Sequence, residues 1–275
     1  MTNSEIRHIR PAQRWNGFNW REMWDRRELV EALLLHEIQV RYRQTLFGFV
    51  WVIGQPLLTT LILSLLLTRL TGHAHASIPY PLFVYIAMAP WAYISHGLTK
   101  NTACFVIYAE LVNRVYLPRL LVPLSVTFAA LVDFAVALLL LPVLMLLYHT
   151  APSITILALP FIIALMILTV FGMGLWLAVL NAKYRDVAYA LPFILQLGLF
   201  SSPMFYASDV VSLPWRWFYA LNPVVGIVEG MRWSLLNVQP APVALMLIST
   251  GASFAIFLGG LYVYQRYEPN IADVI

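Results

Sequence analysis

From Leu46 to Leu66 the chain runs 21 residues without a formal charge, and Arg41 and Arg43 stand just before the run. A helix rises about 1.5 Å per residue, so roughly 20 apolar residues cross a bilayer core of about 30 Å. The pattern predicts a first membrane span at 47–69. Similar runs predict spans at 81–99, 120–148, 154–180, 190–207 and 243–264. Six spans place both ends of the chain on one side. The segment from Pro203 to Asn237 is too apolar for a free loop but is broken by Pro203, Pro214 and Pro223. It predicts short re-entrant helices that dip into the outer leaflet and return, their irregular backbone shielded by protein or water. A seventh span there would make the count odd and carry Arg266 to the outside.

Polar and apolar positions alternate differently before the first span. Between Asn19 and Gln44, Trp20, Met23 and Trp24 share one helical face, Leu29, Leu33 and Val40 lie near another stripe, and Arg and Glu fill the remainder. Such an amphipathic helix lies in the plane of the interface, with Trp20, Trp24, Arg41 and Arg43 as headgroup anchors. A helix packed on the membrane bundle is compatible with the same pattern. The organisation read from these patterns is an all-α polytopic membrane protein. It has a cytoplasmic N-terminal segment (1–45), a six-span domain (46–265) and a short cytoplasmic tail (266–275).

Composition supports this class. Of 275 residues 61% are apolar and 11% charged, against about 25% charged in soluble domains. The formal charge is +4 and the pI about 9.2. In a soluble chain that would suggest nucleic acid. Here eight of the 17 basic residues precede the first span, where they set orientation and meet anionic headgroups. With the N-terminus inside, fourteen Lys and Arg fall on the cytoplasmic side and three, Arg69, Arg216 and Arg232, outside. The first 44 residues are too polar for a cleaved signal peptide. The single cysteine, Cys104, has no partner within the chain for a disulfide.

Catalytic motifs are missing. There is no phosphate-cradling G-x-x-x-x-G-K-[ST], no H-E-x-x-H and no paired C-x-x-C. His73 and His75 read as part of a solvated loop rather than a metal site. Neither a cofactor nor a metal is expected in this chain. Asp133 is the only acid in the interior of a span, and no basic partner is evident in the core. It reads as a hydrogen-bonding or helix-pairing group, or as part of a conduit wall. His96 sits near the inner end of the second span without an evident partner. Pro56 has no N–H, so it leaves the carbonyl of Val52 unpaired and bends the first span. Gln55 beside it offers an amide to a neighbouring helix or a polar passenger, and a plain packing kink fits equally. Tyr85, Trp91 and Tyr93 lie within the second span rather than all at its ends. Aromatic faces stack on sugars and tyrosine hydroxyls bond them, so these residues are candidates for a glycan path, with core packing as the alternative. Phe205, Tyr206, Trp215 and Trp217 would line its outer exit.

The motifs also line up with a known family. "VRYRQTLFGFVWVIGQPLL" resembles the first-span signature of ABC-2 type permeases that export polysaccharides and teichoic acids. "NRVYLPRLLVPLS" is similar to that family's short cytoplasmic turn between spans two and three. "NAKYRDVAYALPFILQLGLFSSPMFY" is similar to its fourth-to-fifth span junction, and "LNPVVGIVEGMRWSLL" to its extracytoplasmic helix before span six. "EPNIADVI" looks like its ending. The resemblance implies a homodimer in the bacterial inner membrane, two separate ATPase subunits that bind ATP and Mg, and a lipid-linked glycan such as O-antigen, capsule or teichoic acid. The stretch Glu110–Arg119 mixes charges with apolar residues on the cytoplasmic side. Its Glu110, Asn113, Arg114, Val115, Tyr116 and Arg119 are candidates for coupling to the ATPase, since an ordinary polar loop would not expose Val115, Tyr116 and Leu117. The rival class is a secondary transporter or a flippase for another amphiphile. It would need buried coupling charges or paired broken helices, of which only Asp133 is visible. An intramembrane enzyme would need converging acids or a histidine cluster, and none shows.

Overall fold

A computed structural model describes residues 27–42, 48–71, 79–114, 117–236 and 241–274. Among these residues every regular element is helical. The chain order is α1 (Arg27–Tyr42), α2 (Gly48–Thr71), α3 (Tyr80–Ile107), α4 (Ala109–Arg114), α5 (Leu121–Leu147), a 3-10 turn (Ile154–Ala158) running into α6 (Leu159–Lys183), and α7 (Asp186–Phe200). A second 3-10 turn (Ser208–Val210), α8 (Leu213–Tyr219), α9 (Pro223–Leu236) and α10 (Val243–Val274) follow. Trp20, Trp24, Arg43, His73, His75, Val115 and Tyr116 lie outside the described residues.

Among the described residues three segments are long and apolar enough to cross a bilayer: Leu121–Leu147, Ile154–Lys183 and Val243–Pro269. α3, with 28 residues, also has the length, about 42 Å at 1.5 Å per residue. α7 does not. The fifth span was expected at 190–207, but the helix stops at Phe200 after 15 residues. The cause is the Ser201-Ser202-Pro203 sequence. Proline disfavours helical backbone at the residue before it, and the Ser202 hydroxyl closes the helix by donating to the Gly198 carbonyl at 2.7 Å. At the other end of the chain, α10 continues without a break through the expected tail to Val274.

Pro56, Pro90, Pro142, Pro192 and Pro269 lie inside helices, whereas others sit at helix starts. α6 carries proline in its first turn, where the N–H would be unpaired in any case. Asn222 caps α9 by accepting the Val224 N–H at 3.1 Å, and Pro223 follows at the first helical position. α5 ends in a Schellman motif. The Thr150 N–H donates to the Met145 carbonyl at 2.9 Å and the His149 N–H to Leu146 at 3.2 Å. This puts His149 at φ 52°, a conformation usually given to glycine.

Small residues let the helices approach, as is common where lipid gives no hydrophobic drive between them. α6 and α10 cross so closely that a Cβ on Gly260 would lie 2.4 Å from the Gly172 carbonyl oxygen. The Thr169 hydroxyl bridges the same pair by donating to Ser253 at 3.0 Å. α8 and α9 are joined by a three-residue link at 220–222. The link and the first turn of α9 are held by Ser249 of α10, which accepts the Gly226 N–H at 3.0 Å and donates to the Ala220 carbonyl at 2.7 Å. α9 is almost wholly buried among α3, α6 and α10. Two apolar cores result. One lies among α3, α5, α6 and α9. The other, around Phe105, Val112, Leu117, Leu175 and Tyr264, lies at the α4 end of the bundle.

Candidate functional site

α1 places Glu37 and Arg41 one helical turn apart, so both project from one face. That face meets the bundle, while Leu35 and Val40 stay exposed. Arg41 pairs with the Asp133 carboxylate of α5. The same guanidinium donates to His96 Nε2 of α3 at 2.7 Å. The Tyr42 hydroxyl donates to Asp133. One turn earlier, Glu37 accepts the Tyr108 hydroxyl at 2.6 Å and faces Lys100 Nζ at 3.5 Å. Tyr108 is the residue joining α3 to α4. Burial, reinforced by the neighbouring carboxylate, raises the pKa of both Tyr42 and Tyr108. Both phenols therefore remain hydrogen-bond donors at physiological pH.

Three sequence expectations change here. Asp133 is not isolated: its basic partner comes from the helix before the first span. His96 is partnered by Arg41. Arg41 itself is turned into the bundle rather than serving only as a headgroup anchor. The physical reason is the cost of an unpaired carboxylate at membrane depth, which a cation from an adjoining element relieves. The opposite charges of Glu37 and Arg41, four apart on a helix, were the signal that pointed to a partnered face.

Beneath this cluster lies a cavity of about 350 Å³ between α2, α3 and α5. Arg41, His96, Asp133 and Gln55 supply part of its polar lining, with Ser95 and Thr99, and Trp51, Pro56 and Tyr93 part of its apolar lining. Pro56 thus removes one main-chain hydrogen bond of α2 beside this cavity, and Gln55 lines it. A more open cleft of about 570 Å³ lies between α1 and the α3–α4 junction, lined in part by Glu37, Lys100, Tyr108, Glu110 and Arg114.

The coupling candidates divide. Glu110, Asn113 and Arg114 are exposed on α4, and Arg114 pairs with Glu110 at 3.1 Å. Arg119 instead donates to the Glu268 carbonyl of α10. Leu117, expected to be exposed, is buried. The aromatics divide too. Tyr85 and Tyr93 are enclosed within the chain, with hydroxyls donating to the Ala137 and Thr127 carbonyls at 2.9 and 3.4 Å. Trp91 is buried against Gly198, where a Cβ would come within 3.0 Å of its ring. Phe205 and Tyr206 are half-buried. The Phe205 carbonyl accepts the Tyr80 hydroxyl at 2.8 Å, and the Tyr206 and Tyr219 hydroxyls share a bond of 2.9 Å. Trp215 and Trp217 are exposed.

A second charged group escaped the sequence reading. Arg232, counted among the three outer cations, is 1% exposed. It donates to Glu229 at 3.2 Å and to the Met204 carbonyl at 3.0 Å, and its guanidinium stacks 3.5 Å from the Phe83 ring centre. Glu229 also accepts the Ser208 N–H at 3.0 Å. The pair therefore pins the 201–210 connection onto α9 and α3. The i, i+3 spacing of Glu229 and Arg232 was the available signal. Among the described residues, no cluster of His, Cys, Asp and Glu is arranged to hold a metal ion.

Comparison with known proteins agrees with the helical, apolar architecture. The chain is similar to the O-antigen export system permease protein RfbA of Klebsiella pneumoniae, 24% identical over 251 residues, which covers 90% of this chain and 95% of that protein. It is 26% identical over 215 residues to the protein of the same name from Myxococcus xanthus, covering 77% and 82%. It is 25% identical over 214 residues to the polysialic acid transport protein KpsM of Escherichia coli, covering 75% and 81%. The sequence model of the ABC-2 type transporter family matches residues 28–236, from the start of α1 to the end of α9. This chain belongs to the ABC-2 type transporter family.

Proposed function

We propose that the chain is the membrane permease of an ATP-driven exporter that moves a lipid-linked polysaccharide across the bacterial inner membrane. The observation that carries this is the near full-length similarity to proteins named for O-antigen export, on a chain whose own sequence has no nucleotide-binding loop. In this reading the chain makes six passes, as α2, α3, α5, α6, α7 with the turn after it, and α10. Both termini are cytoplasmic, and two copies work with two ATPase subunits that bind ATP and Mg. The short helices α8 and α9 re-enter the outer leaflet. The link between them lies beside Ser249, six residues inside α10, which supports that reading. Exposed Glu110, Asn113 and Arg114 form the contact with the ATPase, and exposed Trp215 and Trp217 offer ring faces to sugars at the outer exit.

The deciding experiment is purification of the tagged chain from its own cells to ask whether an ATPase subunit comes with it, together with measurement of surface polysaccharide. Copurification, and loss of the polysaccharide on deletion, are expected. Arg114→Glu should weaken the association, because it sets two carboxylates at the exposed end of α4. Single rim charges contribute only about 0–1 kcal/mol, so reversal tests the contact better than removal. A specific observation, the charged group at Asp133, favours the rival reading of a secondary transporter. Export that persists when the ATPase can no longer hydrolyse ATP would establish that rival.

A further inference from the structure

The polar contacts of α1 form a continuous line from the α3–α4 junction to the interior of α5. At one end Tyr108, which joins α3 to α4, donates to Glu37 at 2.6 Å. One turn along α1, Arg41 and the adjoining Tyr42 hold Asp133. Asp133 lies twelve residues into α5, well inside a membrane-crossing helix. α1 has no fully buried residue. Its polar bonds are therefore a main part of what fixes it to α3 and α5. Beside Asp133 is the cavity of about 350 Å³, with Pro56 of α2 on its wall. A cavity next to a helix that lacks one main-chain hydrogen bond leaves room for movement without expelling packed side chains.

We infer that α1 is a transmission strut, with Glu37–Tyr108 and Arg41–Asp133 as its two joints. A displacement of α4 passes through Tyr108 to Glu37, along the rigid turn to Arg41, and so to α5 inside the membrane. This rests on the proposed coupling of α4 to an ATPase. Arg41, Glu37, Tyr108 and Asp133 are positioning residues: they carry motion and take no part in hydrolysis. The two joints share one helix, so loss of either interrupts the same line.

The test uses the full exporter, permease and ATPase together, in membrane vesicles. Asp133→Asn is expected to lower export at least tenfold, while the chain still accumulates, still copurifies with the ATPase and still supports ATP hydrolysis. Tyr108→Phe, which removes one hydroxyl, should lower export severalfold with hydrolysis again retained. The mechanical role is then tested by replacement. Ile38 of α1 and Ala129 of α5 border the same small gap beside the joint. Cysteines at 38 and 129, joined by a short bis-maleimide in an Asp133→Asn, Cys104→Ala background, should restore much of the lost export by tying the helices covalently. Failure of the tie to restore export in a correctly assembled complex would overturn the strut. Parallel loss of export and hydrolysis would do the same. If Asp133→Asn does not accumulate, Tyr108→Phe decides alone: unchanged export rejects the inference, and reduced export with intact hydrolysis upholds it. If the unaltered chain neither binds an ATPase nor exports with ATP, the functional reading fails first, which separates the two.

Discussion

At the residue scale, the buried charges show how a polar side chain is made acceptable in an apolar setting. Arg232 has a carboxylate, two main-chain carbonyls and a ring face around it. Breaking one member of such a pair strands the other, at a cost of about 3–5 kcal/mol, whereas replacing both by apolar groups is often nearly neutral. Glu229→Leu is therefore expected to destabilise the protein by about 3–5 kcal/mol, and Glu229→Leu with Arg232→Leu to recover most of that. Thermal unfolding in detergent measures both. A double variant no more stable than the single one would show that the connection at 201–210, not the ion pair, dominates. His149 gives the opposite sign. It occupies a left-handed position that costs most L-residues about 1–2 kcal/mol, so His149→Gly should raise stability by about 1 kcal/mol.

At the scale of elements, close helix crossings depend on what is absent from the side chain. Gly260 meets the backbone of α6, while Gly251, nine residues earlier on α10, has nothing within 4 Å of its would-be Cβ. Gly260→Ala should push α6 and α10 apart and destabilise by about 1–3 kcal/mol. Gly251→Ala should be neutral or stabilising by up to about 1 kcal/mol, since alanine restricts the unfolded chain. Equal effects from the two changes would sink the close-packing explanation. Glycine is legible in the sequence, but which glycine faces another backbone is not. That depends on helix rotation, which long apolar stretches such as α6 leave unspecified because every face is apolar. Pro203, in contrast, marked the end of α7 locally, and the expected span at 190–207 overran it by reading hydropathy alone.

At the scale of the whole molecule, the expected topology gives a labelling prediction that the structure refines. Ser208 is buried under Glu229, so a cysteine there would report burial rather than sidedness. Val210 is 74% exposed. In the six-pass arrangement Val210→Cys should label from outside in intact cells, and Arg185→Cys, in the exposed turn between α6 and α7, only after permeabilisation. Outside labelling at 185 would reject that arrangement. The burial of Tyr85 and Tyr93 sets another expectation. Changing either to Ala should cost about 3–5 kcal/mol, as for other large core side chains, and show first as reduced accumulation in the membrane.

The sequence by itself determined the helical class, the membrane setting and the approximate positions of the long helices. Runs of apolar residues and the lengths needed to cross a bilayer are properties of consecutive positions. It also carried the family, because the motifs stand in order along the chain. Tertiary structure alone decided the partners. Asp133 was visible as an acid in a span, but Arg41 lies 92 positions away and only the docking of α1 on α5 brings them together. The same holds for Arg232 and Phe83, and for Tyr108 and Glu37. An aromatic in an apolar helix is compatible with a conduit wall or a packed core, and the rotation of α3 against α5 and α6 turned Tyr85 inward. Hydropathy counts what must leave water. Which groups then meet depends on helix rotation and crossing, fixed by contacts between residues far apart in the chain.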